Sequence, residues 1–144
     1  MAAKVASAAG LPCLVAGHEI VKDTEPVVLD QRSIDILEPH GVLGVLRPYA
    51  TAQDPFTIEP AMFEAGLKHH CVADMLITVF DGMSLVESGP TSDGHGIVGI
   101  LTDGRGRWEL RADAYLDASQ LAAELNDAIH DAATFSNKLL SARD

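Results

Sequence analysis

The apolar residues of this 144-residue chain come in short runs that are bounded by turn-forming residues. Residues 75–80 and 96–101 are two such runs, and each is about as long as a β-strand. A membrane-spanning helix needs about 20 mostly apolar residues, so these runs are too short to form one. The pattern predicts short strands connected by turns, and it argues against an integral membrane protein.

The clearest local pattern is a β-hairpin. Residues 97–101 and 107–111 flank the segment Thr-Asp-Gly-Arg-Gly, whose glycines favour a tight turn between two strands. In the second strand, Trp108 and Leu110 lie on one face, while Arg107, Glu109 and Arg111 lie on the other. The hairpin therefore has one apolar and one charged face.

Other apolar stretches are also interpreted as strands, and the N-terminal residues as a frayed or strand-forming end. A signal peptide is disfavoured there because Gly10 and Pro12 interrupt an apolar region made mostly of alanine. Glycine, proline and aspartate predict a loop over residues 88–96. The strands predicted outside the hairpin cover residues 11–21, 27–29, 33–37, 41–46 and 75–80.

Two segments have helical periodicity. In a helix over residues 59–72, Pro60 would lie in the first turn, where proline is tolerated, and the apolar residues are three and four positions apart. A second helix is expected from an N-cap at Asp117, with Gln120 three residues later. Its apolar stripe predicts packing against the sheet of the same chain, with a partner helix as the alternative. The stripe consists of Leu121, Leu125, Ala128, Ala132, Phe135 and Leu139, and Ala122, Ile129 and Leu140 widen it.

These elements predict a single domain over residues 1–144, of class α+β. We expect a mainly antiparallel sheet with a central helix and the C-terminal amphipathic helix packed on one face. Residues 40–46 and 95–101 are identical at four of seven positions and lie 55 residues apart. They suggest a β-α duplication, the alternative being two unrelated core strands.

Charge and cysteine content limit the partners and the compartment. The chain has 10 Lys and Arg against 21 Asp and Glu, a formal net charge of -11. An acidic surface repels nucleic acid and anionic membranes, so neither is an expected partner. The 2 cysteines are too few for a disulfide scaffold, which favours the reducing cytoplasm.

One group of side chains has the chemistry of a metal site. Imidazole, thiolate and carboxylate ligands suit zinc or another divalent metal, although no pair of them has the spacing of a known metal motif. The alternative is that the histidines are ordinary hydrogen-bonded residues near a helix end. The candidate ligands are His69, His70, Cys71 and Asp74, with His40 and His95 as further members.

Two other patterns concern anionic ligands. Arg105, Arg107 and Arg111 concentrate positive charge and could bind an anionic small molecule or an acidic partner, the alternative being a solvated hairpin. Residues 94–99 match the Gly-x-Gly-x-x-Gly pattern of dinucleotide sites. That pattern should open a helix, whereas here a strand follows it, so nucleotide binding is disfavoured.

The preferred function is a non-catalytic interaction module. It would be an accessory or regulatory subunit, or a homo-oligomer, that binds protein partners through its sheet and helix surfaces. The reasons are the lack of catalytic motifs, the small size and the 5% aromatic content, which does not suggest a large ligand cavity. The alternatives are a small metal-dependent enzyme or metal-binding protein, and a binder of an anionic small molecule beside the hairpin.

Overall fold

A computed structural model describes residues 1–17, 25–117 and 121–143. Short 3-10 turns precede and follow the third helix. The elements are α1 (Ala2–Ala8), β1 (Cys13–Gly17), β2 (Val27–Val28), α2 (Gln31–Leu37), α3 (Val42–Leu46), β3 (Ala50–Gln53), β4 (Phe56–Ile58), α4 (Pro60–Val72), β5 (Ile77–Asp81), β6 (Ser84–Pro90), β7 (Ile97–Thr102), β8 (Arg107–Ala112) and α5 (Leu125–Arg143).

The strands form three small sheets. β1 and β5 pair in parallel, whereas β2-β4-β3 and β6-β7-β8 are antiparallel. The predicted α+β class with mainly antiparallel sheets is confirmed. The hairpin is also confirmed as β7 and β8, joined by residues 103–106. No helix in the described ranges is long and apolar enough to cross a membrane.

The main core lies where α2, α3, α4 and α5 meet strand β4. Gly66 of α4 allows α3 to approach closely, because a Cβ there would lie 2.6 Å from Cδ2 of Leu46. Leu46 itself is fully buried. The buried core residues are Leu29, Leu37, Val42, Leu43, Leu46, Phe56, Ile58, Phe63 and Ile129.

Two predicted strands are helices. Residues 33–37 belong to α2, whose N-cap Asp30 accepts a hydrogen bond from the backbone nitrogen of Ser33 at 2.7 Å. Of the predicted strand 41–46, residues 42–46 form α3, which buries Val42, Leu43 and Leu46. These spacings of one, three and four residues place the three side chains on one side of a helix.

The duplication is not shown, because residues 40–46 include helix α3 whereas residues 95–101 lead into strand β7. The N-terminal prediction is also wrong, since the alanine-rich residues 2–8 form α1. β5 begins two residues later than predicted, and β6 extends into the predicted loop as far as Pro90. Of the predicted strand 11–21, residues 13–17 are extended and residues 18–21 lie outside the described residues.

The C-terminal helix is present, but it begins at Leu125 rather than after Asp117. Glu124 supplies the start instead, because its Oε2 accepts a hydrogen bond from the backbone nitrogen of Asp127 at 3.1 Å. The predicted capping partner Gln120 lies outside the described residues. α5 packs mainly against helices α1 and α2, whereas the sequence predicted that it packs on a sheet. The Ser136 hydroxyl, for example, donates a hydrogen bond to the carbonyl oxygen of Ala2 at 2.9 Å.

Candidate functional site

Most of the predicted metal ligands lie near the C-terminal end of α4. His69 is exposed, His70 is half-buried and Cys71 is buried in the last turns of the helix. Asp74 follows the helix by two residues, and His40 ends the 3-10 turn before α3. The chain therefore folds so that part of the predicted set lies in one region.

His95 has a different location. It is exposed in the connection between β6 and β7, where its backbone nitrogen donates a hydrogen bond to Asp93 Oδ1 at 3.1 Å. The predicted grouping of His95 with His40 depended on a β-α duplication, which the fold does not show.

Asp74 is the acceptor of a hydrogen-bond network that the sequence did not reveal. Its Oδ2 accepts from Lys4 Nζ at 2.6 Å and from Ser7 Oγ at 2.8 Å, and its Oδ1 accepts from the backbone nitrogen of Leu76 at 3.0 Å. The hydrogen bond from Lys4, followed by those from Leu76 and Ser7, lowers the pKa of Asp74 to about 2. The carboxylate is thus charged at neutral pH and already engaged by three donors.

Lys4 belongs to this network, and the sequence did not identify it as a candidate site residue. It lies in α1, 70 residues from Asp74, and its side chain is only 8% exposed. A buried ammonium needs a partner of opposite charge, and Asp74 provides it. The sequence signal was a single lysine in an alanine-rich segment, which does not identify a partner.

The imidazoles of His40 and His70 lie close to this ion pair. A Cβ on Gly41, the residue after His40, would lie 3.4 Å from His70 Nε2. Burial, and then repulsion by the Lys4 ammonium, lowers the pKa of both His40 and His70. His70 Nδ1 is buried and has no hydrogen-bond partner in the described part of the chain. Both rings are therefore neutral at neutral pH.

The thiols of Cys13 and Cys71 are poorly suited to act as nucleophiles or metal ligands. Burial raises the pKa of both thiols, so both are protonated near pH 7. In residues 1–17, 25–117 and 121–143, no three His, Cys, Asp or Glu side chains lie close enough to hold a metal ion together. The metal-site prediction gains no support from this arrangement.

An open cleft of about 220 Å³ adjoins the Lys4–Asp74 pair. Its walls combine a cation, a carboxylate and an imidazole, but the cation and the carboxylate neutralise one another at 2.6 Å. The cleft is therefore polar, but neither Lys4 nor Asp74 offers it an uncompensated charge. Its lining residues are Lys4, Ser7, Ala8, Pro39, His40 and Asp74.

The predicted anion-binding arginines are exposed and mostly paired. Arg107 lies 3.4 Å from Glu87, and Arg111 lies 3.5 Å from Glu109. Arg105 is in the turn of the hairpin, where its backbone nitrogen donates to Asp103 Oδ1 at 2.8 Å. Carboxylates therefore offset the charges of Arg107 and Arg111 on the surface, which weakens the case for an anion site.

The predicted interface stripe of the C-terminal helix is largely covered within the chain. Ala132 is buried, and Leu125, Ala128, Phe135 and Leu139 are half-buried. Leu121 is also half-buried but precedes the helix. Because α1 and α2 pack on α5, this stripe offers little apolar surface to a second protein.

The parallel pair β1–β5 carries an exposed apolar surface, which we call the open face. Parallel register and alternation place Leu14, Ala16, Thr78 and Phe80 on it, and all four are exposed. Leu14 is 41% exposed and Phe80 is 36% exposed. The opposite face includes Ile77, which is buried, on the strands that α1 and α4 contact. The helices cover that face only in part, because Ile77 is buried on it while Val15 is 39% exposed.

Of the comparisons with known proteins, the one with solved structures gives a match. No protein-family pattern and no curated protein sequence matches this chain. The solved structure of the flavin-dependent monooxygenase PieE in complex with FAD and substrate is similar, with a TM-score of 0.65 and 17% identity over 78% of this chain. The matching region is 26% of that protein, so this chain spans about a quarter of its length. The likeness shows a shared fold.

Proposed function

We propose that this chain is a non-catalytic interaction module that binds a helical segment of a partner protein on the open face. The observation that carries the proposal is the parallel pair β1–β5, which α1 and α4 contact and which leaves Leu14 and Phe80 of the open face exposed. Parallel sheets occur almost only where both faces are covered. A partner helix would supply the second layer.

The chemistry of the open face fits an apolar partner surface. Leu14 and Phe80 lie on neighbouring strands, and Ala16 pairs directly with Phe80, so the two large side chains flank a small one. Small and large apolar side chains together form a relief into which the ridge of a helix can pack. Two strands alone are only marginally stable in water, so a second covering layer would also stabilise the pair.

The rim of the partner surface should be basic. The chain carries a net charge of -11, and a partner with Lys and Arg around an apolar centre would be attracted to it. Nucleic acid and membranes do not fit this charge. A cytoplasmic setting is part of the proposal, because both cysteines are free thiols.

The likeness to the monooxygenase supports the proposal only through the fold. There the matching fold is a quarter of a longer chain that is described in complex with FAD. We do not extend flavin binding to this chain, since the glycine pattern at residues 94–99 continues into strand β7. A phosphate site of that kind needs a helix N-terminus at this point.

The test is native mass spectrometry of the tagged full chain purified from the cells that make it. We expect a second polypeptide in fixed stoichiometry, and we expect the double variant Leu14→Glu/Phe80→Glu to lose it. Met62→Glu is the matched control, because Met62 is 43% exposed but lies on α4. In the complex, the amides of β1 and β5 should exchange more slowly with solvent than in the free chain.

Two results would overturn the proposal. One is a stoichiometric complex that the double variant retains as fully as the Met62→Glu control does. The other is a wild-type chain that carries no second polypeptide and whose β1 and β5 amides exchange as fast as in the double variant.

A further inference from the structure

Strand β8 is an outer strand with a regular backbone. It lies at the edge of the sheet β6-β7-β8, and its register with β7 runs without interruption from Arg107 to Ala112. All six residues are exposed except Leu110, which is half-buried. In the described residues no further strand pairs with β8, so its outer backbone groups remain available for hydrogen bonds.

The other edge of the same sheet is protected. β6 has a register shift between Leu85 and Glu87, and it ends at Pro90, which has no backbone N–H to donate. Bulges and prolines are two devices that prevent a sheet edge from pairing with another chain. β8 has neither within residues 107–112, so the two edges differ in their capacity to add a strand.

The side chains of β8 alternate in a pattern that is complementary to itself. Arg107, Glu109 and Arg111 lie on one face, and Asp113 continues that alternation just beyond the strand. The other face carries Trp108, which is 45% exposed and pairs in register with the buried Leu101.

We propose that two copies of this chain pair through their β8 edges, antiparallel and centred on Leu110, to form one six-stranded sheet. In this register Arg107 faces Asp113 of the second copy, and Glu109 faces Arg111 of the second copy. The twofold symmetry repeats both contacts, which gives four pairs of opposite charge. On the apolar face, Leu110 meets its own counterpart.

The two adjacent registers lack this complementarity, and a pairing centred on Trp108 keeps opposite charges only between Arg107 and Glu109 and places Arg105 against Arg111. A pairing centred on Glu109 would place Glu109 against itself and Arg107 against Arg111, so like charges would meet. A pairing centred on Arg111 would place Arg111 against itself and Glu109 against Asp113. Like charges directly opposite one another on paired strands are destabilising. A shift of the centre by half a residue would join the charged face of one copy to the apolar face of the other.

The ion pairs within one copy do not prevent their side chains from pairing with a second copy instead. Arg111 lies 3.5 Å from Glu109, Arg107 lies 3.4 Å from Glu87, and Asp113 lies 3.7 Å from Arg143, with all six side chains at least half exposed. Exposed pairs of this length contribute little, so their members can turn towards a second copy. The proposal concerns a surface separate from the open face, and the two proposals can fail independently.

The first test is the mass of the full chain in solution, measured by sedimentation equilibrium at micromolar concentrations. We expect a species of twice 15.3 kDa. Glu109→Arg places like charges against Arg111 of the second copy and should raise the dimer dissociation constant about tenfold or more. The double variant Glu109→Arg/Arg111→Glu restores opposite charges and should return the constant to near its wild-type value. Glu64→Arg, on α4, controls for the change in net charge.

The second test reports the register. Leu110→Cys should form an intermolecular disulfide under mild oxidation, because residues that face each other across a twofold axis have Cα atoms within bridging distance. Arg107→Cys should crosslink much more slowly, and the unsubstituted chain controls for Cys13 and Cys71. A monomeric wild-type chain, a dimer unaffected by Glu109→Arg, or equal crosslinking at both positions would each overturn the proposal.

Discussion

The close approach of α3 and α4 predicts that Gly66→Ala destabilises the protein, although alanine is the better helix former. The added Cβ would lie 2.6 Å from Cδ2 of Leu46, which is 0.8 Å inside the 3.4 Å at which ordinary contact begins. Leu46 is fully buried and cannot swing its side chain into solvent. Either Leu46 leaves its preferred rotamer or the two helices move apart.

The expected size follows from two opposing contributions. Replacing glycine by alanine inside a helix stabilises it by about 1 kcal/mol. Forcing an extra carbon into a packed core costs about 1–3 kcal/mol. We therefore expect Gly66→Ala to lower the free energy of unfolding by about 1 kcal/mol, measured by urea denaturation followed by circular dichroism.

A neighbouring residue separates the two contributions. Ala65 precedes Gly66 in the same helix and is exposed, so Ala65→Gly reports helix propensity without the contact to Leu46. It should cost about 1 kcal/mol. Leu46→Ala should cost about 2–5 kcal/mol, and in that background Gly66→Ala should become stabilising. If Gly66→Ala stabilises the wild-type chain by as much as Ala65→Gly destabilises it, Leu46 adapts without cost and the reasoning is refuted.

Three further predictions concern single side chains. Asn126→Ala removes three hydrogen bonds that join α5 to the end of β2 and the start of α2 and should cost about 1–3 kcal/mol in urea denaturation, whereas the exposed Asn137→Ala should change little. Because the folded pKa of Asp74 is about 2 against an ordinary 3.8, the unfolded chain binds more protons between these values. The Lys4–Asp74 pair therefore stabilises the fold above pH 4, and melting temperatures should fall more steeply from pH 4 to pH 2 in the wild type than in Asp74→Asn. Cys71 is buried and its thiol pKa is raised, so iodoacetamide at pH 7 should alkylate it far more slowly in the folded chain than in urea; equal rates would contradict its burial.

The elements that could be predicted are those whose signals lie within a short stretch of sequence. The hairpin depends on turn residues between two alternating runs, and α4 depends on Pro60 and on spacings of three and four, so both are visible in a short window. Residues 33–37 and 41–46 are too short for a period of two to be distinguished from a period of 3.6. Both segments are helices in the structure, because in that conformation their apolar side chains pack in the core.

The candidate surfaces were harder to predict because they depend on contacts between distant residues. The ion pair of Lys4 and Asp74 joins segments 70 residues apart. The open face exists because Leu14 and Phe80 meet on neighbouring parallel strands, and nothing near either residue indicates that partner. The self-complementary charges of β8 are visible in the sequence, but their significance depends on β8 being an edge strand.

The two proposed surfaces bind their partners through different interactions. Apolar burial dominates on the open face, and charge pairing selects the partner at the β8 edge. The open face is apolar, so binding there draws mainly on removal of Leu14 and Phe80 from water, and moderate salt weakens only the attraction of the partner's basic rim. The β8 edge is selected by four exposed charge pairs, whose attraction falls as the Debye length shortens. β8 and the open face belong to separate sheets and share no residue, so we expect one copy to be able to use both. A β8 pair would then present two open faces, and a partner that itself carries two linked helical segments would bind it with higher avidity than a partner with one.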